Sequence, residues 1–168
     1  MQDKLRMKVA EVSAEIEKAG IPLWEELPVL ELYMDQVIIL LNQYVGMIKN
    51  EDGESETITK NMINNYVKMK VVPAPVRKKY SKTHIAYLVL VCVMKQIYSI
   101  SMIKSMLPDF EDEQGIIKTY NCFVNSFKRA VNDDVSNIVN DDMNIENCVL
   151  QLSSKAIALK LLAEKVMK

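Results

Sequence analysis

The sequence predicts an all-α fold, and three observations predict it. Of its 168 residues 49% are hydrophobic and 26% charged, the balance of a chain that folds around a core. Four glycines are too few for the turns of a many-stranded sheet. Apolar residues recur at three- and four-residue steps through most of the chain, which is the period of helices that bury one face.

Leu5, Val9, Val12 and Ile16 draw a stripe along a first helix, stopped by Gly20 and Pro22. Beyond Pro28 a second helix, 31–45, carries Tyr33, Met34, Val37, Ile38, Leu41 and Tyr44 on a broad apolar face that calls for near-complete burial. Asp35 and Gln36 interrupt it and are expected to face water or bond across to a neighbouring element. Residues 50–56 are acidic around Gly53 and form a solvated loop. Thr59 is placed to cap a third helix, 60–69, because its hydroxyl can accept a backbone N–H of the first turn. Met62, Ile63, Tyr66 and Val67 fall on one side of that helix, and Lys60, Asn61, Asn64, Asn65 and Lys68 on the other.

Residues 71–80 hold Pro73, Pro75 and short β-branched pairs, and read as an extended turn or a small two-stranded wing. Ser81 caps a fourth helix with Ile85, Leu88, Val89, Cys92, Val93 and Ile97 inward, and Ser99 or Ser101 starts a short fifth that ends at Pro108. Acidic residues at 109–113 suit the N-terminus of a long helix over 114–139. After a break at 140–144, Ile145, Val149, Leu152, Ala156, Leu159, Ala163 and Val166 keep a strict four-three spacing, the seam of a helix that lies along another.

Several function classes drop out. The longest apolar run is interrupted by Lys95 well short of the roughly 20 residues that span a bilayer. Charges alternate through the N-terminus where a signal peptide is apolar, so no membrane partner and a cytoplasmic location are expected. Cys92, Cys122 and Cys148 are too widely spaced for a metal or redox pair and read as core fillers. His84, the one histidine, sits three residues after Ser81, where it suits a helix cap better than a base lacking a nucleophile. The acidic pairs Asp133–Asp134 and Asp141–Asp142 lack the alternating ligands of a calcium loop. With no glycine-rich phosphate loop and no nucleophile elbow, neither enzymatic activity nor a cofactor is expected, while the residues leave a small-molecule effector undecided.

The net charge of −1 conceals a strong segregation. Residues 57–107 contain nine basic side chains and no acidic one, whereas residues 1–56 hold 5 basic and 12 acidic, and residues 108–168 hold 7 and 10. A polyanion responds to the local field of the basic middle rather than to the overall balance.

The basic segment resembles the winged-helix DNA-binding region of MerR-type regulators. The resemblance is carried by residues 58–66, Val71-Val72-Pro73 leading into the wing, Arg77-Lys78-Lys79-Tyr80-Ser81 leaving it, and the short helix at 100–107. Asn64 and Asn65 stand where that family has an arginine and the first of two tyrosines, and some 30 residues precede the helix that begins near Glu31. Over its whole length the chain is also similar to the uncharacterised bacterial domain-of-unknown-function family 1836, on Leu32-Tyr33-Met34-Asp35-Gln36-Val37, residues 59–66 and residues 79–85. The resemblance implies a helix-turn-helix, winged-helix core, which the helical spacings flank with an N-terminal helix and a C-terminal helical hairpin. The expected division is residues 1–108 for the N-terminal helix and winged helix, and 109–168 for a two-helix region.

The expected function is that of a transcriptional regulator on double-stranded DNA. Helix 60–69 would enter the major groove, where Asn61, Asn64 and Asn65 can pair with adenine edges. Lys60 and Lys68, with Arg77, Lys78 and Lys79 of the basic wing 76–80, would hold phosphates, and Thr59, Lys70 and Lys82 complete the nucleic-acid-binding set. About six phosphate contacts would give a log-log salt slope near −5. The competing expectation is a helical protein–protein interaction module whose helix-turn-helix no longer binds DNA, favoured by Asn64 in place of arginine and by the acidic N-terminal part. A homodimer is expected through residues 114–168, with Ile145, Val149, Leu152, Ala156 and Leu159 in contact.

Overall fold

A computed structural model describes residues 2–18, 20–46, 58–138 and 144–167. The expected acidic loop at 50–56 and Asp141–Asp142 lie outside the described residues. The helices are α1 (Gln2–Lys18), α2 (Met34–Val45), α3 (Lys60–Lys68), α4 (Lys82–Met94), α5 (Ile100–Met106), α6 (Glu113–Ile138) and α7 (Ile145–Val166), with a short 3₁₀ turn at Trp24–Glu26. Strands β1 (Leu32–Tyr33) and β2 (Lys79–Tyr80) complete the fold, which is mostly helical as its composition requires. No helix among the described residues is long and apolar enough to cross a membrane.

The chain separates into two compact units, one of residues 1–18 and 128–168 and one of residues 19–127. The larger unit is organised around α4. Every residue from His84 to Cys92 is buried, so the helix is covered on all sides rather than on the single face its spacing marks. That follows from its composition: a helix apolar all round has no side to give to water. Ile97, expected to extend the inward stripe, lies past the end of α4 and is 52% exposed.

Val37, Leu41 and Val45 of α2, Ile63 and Tyr66 of α3, Ile103 of α5, and Ile116, Tyr120 and Val124 of α6 pack into the same core as α4. Two phenols in this core keep their hydroxyls satisfied through backbone carbonyls. Tyr120 donates to Pro22 O at 2.9 Å, and the Tyr87 hydroxyl lies 3.0 Å from Pro108 O and 3.2 Å from Asp109 O. Burial, with the carboxylates of Asp112 and Asp109 nearby, pushes the Tyr87 phenol up to about 12, and burial raises Tyr120 as well.

The second helix begins later than its apolar pattern suggests, because Leu32 and Tyr33 are extended and pair antiparallel with Tyr80 and Lys79. Gln36 Oε1 accepts the Tyr33 N–H at 2.9 Å, a capping contact that gives this polar residue its place in an apolar helix. Asn42 fixes the chain ahead of α3: its Oδ1 accepts the Ile58 N–H at 3.1 Å, while its amide donates to Ile38 O at 2.8 Å.

In the smaller unit Leu5 of α1 and Cys148 of α7 are buried together with Val9 against them. Ser13 Oγ donates to Val131 O of α6 at 3.4 Å.

Candidate nucleic-acid interface

The basic stretch is displayed by two local structures, a short amphipathic helix and a tight hairpin. Thr59 Oγ1 accepts the Met62 N–H at 3.3 Å and so starts α3. Ile63 and Tyr66 are then buried, and Met62 and Val67 half-buried, which turns Lys60, Asn61, Asn64, Asn65 and Lys68 outward. Each of these five is exposed. The helix ends at Lys68 with Met69 as its cap, and Lys70 follows in the left-handed region with φ of 55°. Val71 and Val72 then enter the core.

The hairpin is closed by Val76 and Lys79, whose backbones exchange both hydrogen bonds at 3.1 and 2.9 Å. Only Arg77 and Lys78 lie between them, with φ of 51° and 64°. A two-residue loop with both φ positive is the type I′ pattern, whose right-handed twist matches the flanking strands and which ordinarily selects asparagine and glycine. Here two long cationic side chains take those positions, each at a cost of about 1 kcal/mol for an L-residue in the left-handed region. Strain kept at a tip that presents two cations is the kind of outlier that accompanies a binding role.

His84 anchors the hairpin from behind. Its Nδ1 accepts the Ser81 N–H at 3.1 Å and lies 2.7 Å from Ser81 Oγ, while Nε2 faces Ala74 O at 3.0 Å. Hydrogen bonding to a carbonyl requires a proton on Nε2, so the ring caps α4 and ties residues 71–76 to it at the same time. The ring is buried, edge-on to Tyr80 at 5.7 Å. The cap expected of this histidine is therefore present. Tyr66 and Tyr80 pack their rings in the core rather than standing at the surface.

Not every predicted cation is equally available. Lys79 is half-buried, with Nζ 3.8 Å from Glu31 Oε2 and 5.7 Å from the Tyr33 ring centroid. Lys82 is also half-buried, with Nζ 5.2 Å from the Trp24 ring centroid. Each is held by its own chain through cation–π contact. Thr59 spends its hydroxyl oxygen on the cap. Lys60, Lys68, Lys70, Arg77 and Lys78 stand as exposed cations around the three asparagines. Sequence reasoning missed the two aromatic anchors, since Trp24 and Tyr33 are 58 and 46 residues from the lysines they hold. Among the described residues no group of three or more His, Cys, Asp or Glu is placed to hold a metal ion.

The family described as a domain of unknown function, DUF1836, matches residues 22–127. The chain belongs to this family. The matched span coincides, to within three residues at its start, with the larger compact unit, so the DUF1836 domain is the unit that carries α3, the hairpin and α4. No curated protein and no solved structure matches the chain.

Proposed function

We propose that this DUF1836 protein binds double-stranded DNA as a transcriptional regulator, with α3 in the major groove and the Arg77–Lys78 tip on the phosphate backbone in the manner of a MerR-like winged helix. The observation that carries the reading is the strained two-residue hairpin next to α3, which together display five exposed cations and three exposed asparagines. The antiparallel pairing of β1 with β2 supports it further, since that pairing fixes the base of the hairpin to the segment that enters α2. Cations would hold phosphates and set position, while Asn61, Asn64 and Asn65 would read adenine edges.

The test is fluorescence anisotropy of a 30-base-pair duplex over a range of salt concentrations. Five phosphate contacts predict a log-log slope of about −4.5. Arg77→Glu with Lys78→Glu should abolish binding, whereas Lys82→Ala, which removes a cation already held on Trp24, should weaken it less. Failure of the wild-type protein to bind at low salt would refute the proposal.

A second reading, a protein–protein interaction module, draws on a different feature. An open apolar groove of about 290 Å³ runs beside α2, lined by Pro28, Leu32, Gln36, Ile39, Leu40 and Gln43. Ile39 is 62% exposed within it. Anisotropy at low salt separates the two readings, because an apolar groove confers no affinity for a generic duplex.

A further inference from the structure

Helix α7 is oriented against expectation for a chain acting alone. Near its C-terminus Lys160, Ala163 and Glu164 are half-buried, and over its earlier turns the side directed toward the chain's own residues carries Cys148, which is buried, and the half-buried Gln151 and Lys155. The heptad stripe lies about a quarter-turn away at 100° per residue. There Ile145, Val149, Leu152, Leu159 and Val166 are 41–84% exposed, and Ala156 is exposed between them. An apolar stripe left exposed along one side of a helix is the kind of surface that marks an interaction site.

The composition of the stripe says what covers it. In a parallel pair of α7 helices, like would face like: Ala156 against Ala156 and Ala163 against Ala163 would leave two thin layers, and Lys155 would flank Lys160 of the other helix on both sides. In an antiparallel pair centred near residue 154, large meets small. Ile145 then faces Ala163, Val149 faces Leu159, and Leu152 faces Ala156, each contact occurring twice. The same register brings Glu146 of each helix beside Lys160 of the other, a second carboxylate for a lysine whose Nζ lies 3.6 Å from Glu164 Oε1 of its own chain. The antiparallel register sets Lys155 against its own copy once, where the parallel one sets Lys155 against Lys160 twice, so the antiparallel orientation is the better matched in volume and in charge and fits a second copy of the same helix.

We propose that the protein is a homodimer in which α7 pairs antiparallel with α7 of a second copy along the 145–163 stripe. Leu150, Ile157 and Leu161, also exposed, lie outside this seam. The proposal is independent of the DNA reading: it concerns the smaller unit, and its test needs no DNA.

Light scattering coupled to size exclusion should give twice the 19.2 kDa chain mass at tens of micromolar. Leu152→Glu with Leu159→Glu should return the mass to 19.2 kDa while the larger unit keeps its cooperative melt. A second measurement does not depend on how well that variant folds. Ser153→Cys in a Cys122→Ser background should form an intermolecular disulfide on mild oxidation, because only the antiparallel register brings residue 153 next to its own copy. A wild-type mass of 19.2 kDa would overturn the dimer, as would a dimer that survives both glutamates. A dimer in which the Ser153→Cys variant forms no cross-link would overturn the antiparallel register. A monomer that still bound DNA would sink this inference and leave the regulator reading standing.

Discussion

Arg77 and Lys78 set local stability against charge display at the scale of single residues. Both occupy left-handed backbone that asparagine and glycine adopt without strain. Replacing the pair by Asn-Gly should therefore stabilise the protein by about 1 kcal/mol or more, a rise of a few degrees in Tm. The same variant should lose affinity for duplex DNA, and a calorimetric scan beside an anisotropy titration checks both signs. If the Asn-Gly variant melted at a lower temperature, the two positions would not be strained as argued. The cysteines give a second residue-scale outcome. Cys92 is buried, and desolvation pushes its thiol up to about 12 against a weaker opposing pull from Lys95, so almost no thiolate is present at pH 8. Cys148 is buried too, whereas Cys122, expected to fill the core, is exposed. A thiol reagent should label one cysteine per chain quickly in native buffer, Cys122, and three in denaturant. Two fast equivalents would contradict the burial of Cys92 or Cys148.

At the scale of elements, the N-terminus of α4 shows how one side chain joins two structures. Ser81 and His84 occupy the first and fourth positions of a capping box, with the imidazole standing where glutamate or glutamine is usual. The ring adds a contact that those residues would not make in this geometry, to Ala74 O. His84→Ala should cost about 1–2 kcal/mol through the lost cap and the unpaired carbonyl, and should loosen residues 74–80. Urea titration gives the first value, and faster amide exchange at Val76 and Lys79 reports the second; unchanged exchange there would limit His84 to the cap. Much of this scale was legible in the sequence. Thr59, Ser81 and the spacing of Ile63 and Tyr66 fixed where α3 and α4 begin and which face of α3 is buried, because caps and helical periods act over three or four residues. The β1–β2 pairing was not legible, since two-residue strands are too short to show alternation and join segments 47 residues apart. The heptad in α7 was visible, but a seven-residue period marks a stripe without saying whether the same chain or another covers it.

At the scale of the whole molecule, the DUF1836 match and the core describe the same object. The buried cluster that holds Val37, Ile63, Leu88 and Ile103 also includes Ile21 near the start of the matched span and Val124 near its end. Tyr120 in α6 donates to Pro22 O, and the Trp24 N–H donates to Asn121 Oδ1 at 3.2 Å, so the first turns of the unit are held by its last helix. A fragment of residues 19–127 therefore contains every member of this core and should fold alone, with a single cooperative melt. Ending the fragment at residue 112 removes Ile116, Tyr120 and Val124 and leaves the Pro22 carbonyl without its donor. Each buried side chain of this size contributes on the order of 1.5–3 kcal/mol, so losing three removes about 5–9 kcal/mol, comparable with the whole stability expected of a domain of this length. The shorter fragment should show helical content without a cooperative transition. If it melted as sharply as the longer one, α6 would be an attachment to the DUF1836 unit rather than part of its core. If the 19–127 fragment also bound duplex with the salt slope of the full chain, DNA contact and self-association would be assigned to separate units of the molecule.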